Sequence, residues 1–125
     1  VAIQVEVVSP ERILYSGEAE MVVCRTVGGG EVAFLTGHAP FLAALETGLV
    51  RVKTSGGEEV VAVHGGFVEV RDNRVIVLSD VAELAADIDV ARAQRAKDAA
   101  TGDDEDAVAA RARADARLNA ADRAS

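Results

Sequence analysis

Arg74-Val75-Ile76-Val77-Leu78-Ser79-Asp80-Val81-Ala82-Glu83-Leu84-Ala85-Ala86-Asp87-Ile88-Asp89-Val90-Ala91-Arg92-Ala93, residues 74–93, contains the point where one kind of polypeptide gives way to another. Its first part is a short run rich in β-branched residues, introduced by the turn pair Asp72-Asn73. From Val81 the interval changes: Val81, Leu84, Ile88 and Ala91 are spaced by three, four and three, as one helical face requires. The stretch begins either helical or extended, since strand-like sequence leads straight into it, and Asp87 or Asp89 is its N-cap. Composition follows the same division. Ten of the eleven glycines and all four aromatic residues lie at or before Phe67, whereas residues 81–125 hold seventeen alanines, one glycine and no aromatic.

Upstream of the junction the pattern is that of strands. In Ala2-Ile3-Gln4-Val5-Glu6-Val7, Ile3, Val5 and Val7 share one face and Gln4 and Glu6 the other, until Ser9-Pro10 breaks the run. Further strand-like runs cover 19–27, 31–35, 49–54, 59–64, 67–71 and 74–78. Turn chemistry separates them at Gly28-Gly29-Gly30, Gly37, Gly48, Ser55-Gly56-Gly57, Gly65-Gly66 and Asp72-Asn73. Punctuation this frequent predicts an antiparallel sandwich or barrel, and no helix-length segment is left for βαβ crossovers.

Downstream, Gly102 is the expected stop of a first helix, and Asp103-Asp104-Glu105-Asp106 suits the positive end of a second. Ala107, Ala110, Ala114, Leu118 and Ala121 form a narrow stripe on that second helix. The expectation is an antiparallel helical hairpin whose methyl-lined face buries little area and anchors it weakly. The division expected is a β-sandwich docking domain over 1–86 and a helical hairpin regulatory domain over 87–125.

Length and charge exclude several roles. A chain of 125 residues supports one core. The net charge of −8 is spread over both halves, against nucleic acid or an anionic lipid surface as the main partner. The single Cys24 excludes an intramolecular disulfide. No apolar run approaches 18 residues, so a soluble protein without direct membrane insertion is expected.

The reactive residue types form no catalytic pattern. Cys24, His38 and His64 are 14 and 26 residues apart, unlike any compact metal-ligand spacing. Glu83, Asp87 and Asp89 read as caps and as partners of Arg92 more simply than as an acid–base pair. The three glycines at 28–30 precede a strand-like run, whereas a phosphate cradle requires a helix. No nucleophile–histidine–acid constellation is present. The tail arginines carry more information. A hairpin turning near Asp104 brings Arg92, Arg113 and Arg117 to similar height, with Arg113 and Arg117 one turn apart. Such a cluster is either an internal network with Asp89 and Asp115 or a site for a nucleotide phosphate.

Gly30-Glu31-Val32-Ala33-Phe34-Leu35-Thr36-Gly37-His38-Ala39-Pro40-Phe41-Leu42 resembles the hallmark loop of the epsilon subunit of bacterial F-type ATP synthases. Val8-Ser9-Pro10-Glu11-Arg12, Gly48-Leu49-Val50-Arg51-Val52, Gly65-Gly66-Phe67-Val68-Glu69-Val70 and the run 73–89 resemble that family too, so the likeness covers essentially the whole chain. Thr36 departs from it, where the family commonly has proline. The resemblance implies a sandwich of about ten strands, then two helices, in a non-catalytic central-stalk subunit. It also implies binding to the gamma subunit and to the c-ring of the proton-translocating rotor, on the cytoplasmic face of the bacterial membrane. Glu31, Phe34 and His38 fall at the family's c-ring contact. The family's helices move between a compact state and an extended state that reaches the catalytic head and suppresses ATP hydrolysis. In some members ATP holds the compact state. Ile88-Asp89-Val90-Ala91-Arg92-Ala93 is similar to that ATP motif, with Arg113, Arg117 and Glu83 in matching places. By that resemblance Arg92, Arg113 and Arg117 would meet phosphate, and Asp89 and Glu83 the base or ribose. Two readings remain beside it: a free-standing nucleotide sensor, and a small binding module with a structural tail.

Overall fold

A computed structural model describes residues 2–124 of the chain. Its strands are β1 (Ile3–Val8), β2 (Ile13–Ala19), β3 (Met21–Thr26), β4 (Gly30–Phe34), β5 (Phe41–Thr54), β6 (Gly57–Arg71), β7 (Arg74–Leu78) and β8 (Ala82–Leu84). A 3₁₀ turn, Ala85–Asp87, leads to helices α1 (Val90–Ala99) and α2 (Glu105–Ala124). The strands run in the order β2-β1-β7-β6-β5-β3-β4, with β8 paired to β6. All neighbours are antiparallel except β1 and β7, which pair in parallel from Gln4↔Arg74 to Val8↔Leu78.

Eight strands stand where about ten were expected, because β5 and β6 are long enough to serve both layers of the sandwich. They pair with each other from Phe41↔Val70 to Thr54↔Gly57. The last part of β6, from Phe67 to Arg71, pairs with β7, whereas Val61, Ala62 and Val63 pair with β8. Between these halves lie Gly65 and Gly66, with φ of +87° and +127°. A Cβ on Gly66 would collide with the Leu78 carbonyl oxygen, so glycine is required there. The sequence reading placed breaks at Gly48 and at Gly65-Gly66; both are interior points of continuous strands. Likewise the expected run 19–27 is divided, Ala19 closing β2 and Met21–Thr26 forming β3, with Glu20 and Val27 outside both strands.

The main core lies between the layers and is built from inward-facing Ile3, Val5, Val7, Val22, Phe34, Val50, Val52, Val61, Val63, Val68, Val75 and Val77. Residues 60–63 are buried without alternation. Val61 and Val63 face that core, while Val60 and Ala62 point outward into a second cluster with Ala85 and Ala120, flanked by Leu49 and Ile88. An unbroken apolar run is what a strand covered on both faces needs, and here α2 supplies the second cover.

At the junction, the interval Val81-Leu84-Ile88-Ala91 does not form one helical face. Residues 82–84 are strand, 85–87 a 3₁₀ turn, and α-helix starts only at Val90. Leu84 packs against the main core and Ile88 against the second cluster, so tertiary packing satisfies the same spacing without a helix. Asp89 is the N-cap of α1, its Oδ1 accepting from the Arg92 backbone N–H at 3.0 Å. Asp104 caps α2 in the same way, accepting from Ala107 N–H at 2.8 Å. Gly102, at φ +100°, turns the chain between the helices. Of the expected α2 stripe only Ala114 is fully buried, and Ala116 and Ala120, outside the stripe, are buried as well, because α2 packs against the sheet and α1 at once.

Candidate functional site

Where α1, α2 and the end of the sheet meet, a cleft of about 240 Å³ is lined by Glu83, Asp87, Asp89, Arg92, Ala93, Ala96 and Arg117. Strand β8 fixes Glu83 by pairing with β6, and the 3₁₀ turn sets Asp87 beside Arg12, 3.2 Å away. Arg92 and Ala96 are one turn apart on α1, and the buried methyl of Ala93 allows close helix approach. From α2, the Arg117 Nε donates to Glu83 Oε1 at 2.7 Å. His64 on β6 donates from Nε2 to that same oxygen at 2.9 Å.

Those bonds set the protonation states. Burial pushes the Glu83 carboxyl up, but the hydrogen bonds from Arg117 and His64 outweigh it and leave the group below its usual 4.5. Burial holds His64 below its usual 6.5, and the charges of Arg117 and Arg113 act in the same direction against the opposing bond to Glu83. The cleft therefore presents an ionised Glu83 bound to Arg117, beside an Arg92 guanidinium with no hydrogen bond or ion pair among the described residues. It is small for a drug-sized ligand, whose pockets span about 300–1,000 Å³, so a nucleotide would be only partly enclosed.

Five of the seven residues singled out from the sequence line this cleft: Glu83, Asp89, Arg92, Ala93 and Arg117. Ile88 does not, because its side chain packs into the second cluster. Arg113 also falls outside the lining; it is exposed on α2, one turn before Arg117. Asp115 pairs with Lys97 at 2.9 Å, so the alternative network of Asp89 and Asp115 with the arginines is not the one that forms. Asp87 and Ala96 were not assigned to the site from sequence. For Ala96 a signal existed, its place one turn after Arg92; for Asp87 the decisive contact is with Arg12, distant in sequence.

The 30–42 loop divides similarly. Glu31 is exposed and its Oε1 accepts from Arg51 at 3.5 Å. Phe34 is fully buried in the main core and cannot touch a partner, contrary to its assignment as a contact residue. It supports the loop instead: the His38 ring stands edge-on to Phe34 at 5.0 Å and to Phe41 at 5.9 Å. Gly37 N–H donates to Asn73 Oδ1 at 2.7 Å, tying the loop to the β6–β7 turn. Cys24 is buried, and burial pushes its thiol up to about 12. Among the described residues no three His, Cys, Asp or Glu side chains gather to hold a metal ion.

Comparison with known proteins gives this architecture its class. Residues 2–85 match the family described as ATP synthase, Delta/Epsilon chain, beta-sandwich domain. Over 119 residues the chain is 45% identical to the ATP synthase epsilon chain of Streptomyces griseus subsp. griseus, covering 94% of each. Over 97 residues it is 50% identical to that of Brevibacillus brevis, covering 77% of this chain and 73% of the relative. The chain belongs to the ATP synthase epsilon chain family. The fold is shared with a chain of the Euglena gracilis mitochondrial ATP synthase OSCP/F1/c-ring structure, at TM-score 0.69 and 22% identity, covering 98% of this chain and 81% of that one. A chain of the Tetrahymena thermophila mitochondrial ATP synthase central stalk/c-ring structure aligns at TM-score 0.64 and 15% identity, covering 97% of this chain and 94% of that one.

Proposed function

We propose that this chain is a non-catalytic central-stalk subunit that couples rotation of the gamma subunit and c-ring to ATP synthesis, and that its helices restrain the reverse reaction. In this reading the sandwich, 1–86, is the docking part and the hairpin, 87–125, the regulatory part. The assembly lies at the cytoplasmic face of the bacterial membrane, which the chain meets only through partners. Among the described residues no helix is long and apolar enough to cross a membrane.

The observation that carries the regulatory half is how the hairpin is held. It rests on the sheet through alanines and through two ion pairs, Arg117–Glu83 at 2.7 Å and Arg123–Glu58 at 2.6 Å. Leaving the sheet breaks little apolar contact and frees arginines for new partners. Docking is supported by an apolar strip on the outer face of the sheet. Leu42, Phe67 and Leu78 are 69%, 57% and 53% exposed, and Phe67 and Leu78 are register partners. Loss of gamma binding in a pull-down with Phe67→Asp is expected; unchanged binding would place the gamma contact elsewhere.

For the cleft, the reading is a regulatory ATP site that keeps the hairpin docked. Arg92 meets phosphate directly, Arg117 exchanges Glu83 for a phosphate oxygen, and Arg113 joins by swinging inward from solvent. Asp89 and Glu83 remain for polar groups of the base or ribose. Arg92→Ala is expected to weaken ATP binding more than about tenfold, since a charge-assisted hydrogen bond contributes roughly 1.5–3 kcal/mol. Calorimetry checks this, and an absence of heat with the unaltered chain at millimolar ATP would remove the site.

A further inference from the structure

His64 occupies a position that neither the docking surface nor the phosphate contacts explain. Its side chain is only 4% exposed, and Nδ1 has no hydrogen-bond partner among the described residues. Since Nε2 donates to an ionised carboxylate, the neutral ring carries its proton there and leaves Nδ1 as a buried bare acceptor. One oxygen, Glu83 Oε1, serves both His64 and Arg117.

We propose that His64 is a proton-operated latch: a proton arriving at Nδ1 releases α2 from the sheet. The added N–H finds no acceptor, and a buried positive charge appears beside a guanidinium that already uses the same carboxylate oxygen. The charged groups around the ring are Glu83 from β8 and Arg117 and Arg113 from α2, and Asp80 lines a neighbouring cleft together with His64. Its register partner on β5 is the uncharged Thr47. In the docked state Glu83 Oε1 would then answer two cations, with the charge of Arg113 adding to the repulsion. Once α2 departs, both arginines leave and Glu83 is free to pair with the imidazolium alone.

The direction follows from linkage. His64 is held below its ordinary 6.5 while α2 is docked and returns toward it when α2 leaves, so the undocked form binds more protons. Docking is therefore complete above that ordinary value and weakens as the pH falls below it. Acidification of the compartment would favour the released, inhibitory hairpin. This rests on the mobile-hairpin reading above.

The test uses the full chain with dyes at Ser55→Cys and Asp103→Cys, the buried native Cys24 being out of reach of the labels. Between about pH 7.5 and about pH 5 the docked-to-released ratio is expected to fall several-fold, and to stay flat in His64→Gln, which keeps a donor for Glu83 but cannot take the proton. NMR of the two histidines adds a readout independent of opening: His64 should titrate below its ordinary value, and rise toward it in Arg117→Met. A ratio insensitive to acid, an equal fall in His64→Gln, or an ordinary His64 titration overturns the latch. If Arg117→Met lengthens the dye distance and acid does not, the latch alone fails. If neither changes it, the mobile hairpin fails as well.

Discussion

The molecule has two apolar clusters that share a strand and differ in kind. Between the layers, Phe34, Ile3 and a set of valines are closed off from water, each contributing about 1.5–3 kcal/mol by the usual transfer scale. Beneath α2, three of the four buried members are single methyl groups, Ala62 of β6 with Ala85 and Ala120 set against it, and only Val60 is larger. A methyl contributes about 0.8 kcal/mol on the same scale. Residues 60–63 send alternate side chains into each cluster, so the same strand is anchored firmly on one side and covered lightly on the other. A large core fixes a shape; a small one permits an element to be held and released. The hairpin also relies on polar contacts in proportion, through Glu83 and Glu58, where the main core uses none.

The sharpest way to break this contrast is to cut the main core. Phe34→Ala should cost about 3–5 kcal/mol and unfold much of the population, as read by denaturant titration. It should also free the His38 ring, which leans on Phe34. A loss below about 1 kcal/mol would mean that Phe34 is not the keystone its burial implies. Overpacking the second cluster comes next. Ala120→Leu should push α2 off the sheet at a cost of about 1–3 kcal/mol, with the dye distance lengthened and the sandwich transition unmoved. Unfolding of both parts together would show one cooperative core instead of two. The smallest effect on the sandwich is expected from ending the chain before Asp87. That variant should remain folded, melt close to the intact chain and still bind gamma. Failure to fold would show that α2 supports β6 and that the division at 86/87 is wrong.

Much of this contrast is legible in the sequence, where local rules decide it. The loss of glycine and aromatic residues after Phe67 and the rise of alanine marked the change from strands to helices. Asp89 is one of the two caps the spacing allows, and Arg92 and Arg117, which the sequence pattern offers as phosphate contacts, both line the cleft. What failed had a common cause. Gly48 and Gly65-Gly66 look like turns to any local rule, yet neighbouring strands carry β5 and β6 straight through them. Leu84 and Ile88 kept a helical interval because two different clusters demanded apolar residues there. Arg113 was grouped with Arg117 on spacing, but the face of α2 toward the cleft is set by its contacts with the sheet. The unbroken run 60–63 did announce a second covering layer, and read as such it would have pointed to the docked helix.

By itself the sequence determined the local conformations: strands before Asp80, helices after Asp89, a methyl-lined hairpin and a cap at its start. These depend on backbone sterics, periodicity and side-chain size within a few residues of each other. Tertiary structure alone decided that β1 lies parallel to β7, that β5 and β6 belong to both layers, and that Phe34 is an internal prop. It alone brought His64 and Arg117, 19 and 34 residues from Glu83, to one carboxylate oxygen. Those outcomes rest on which distant surfaces exclude water together, and no short stretch of chain contains that information.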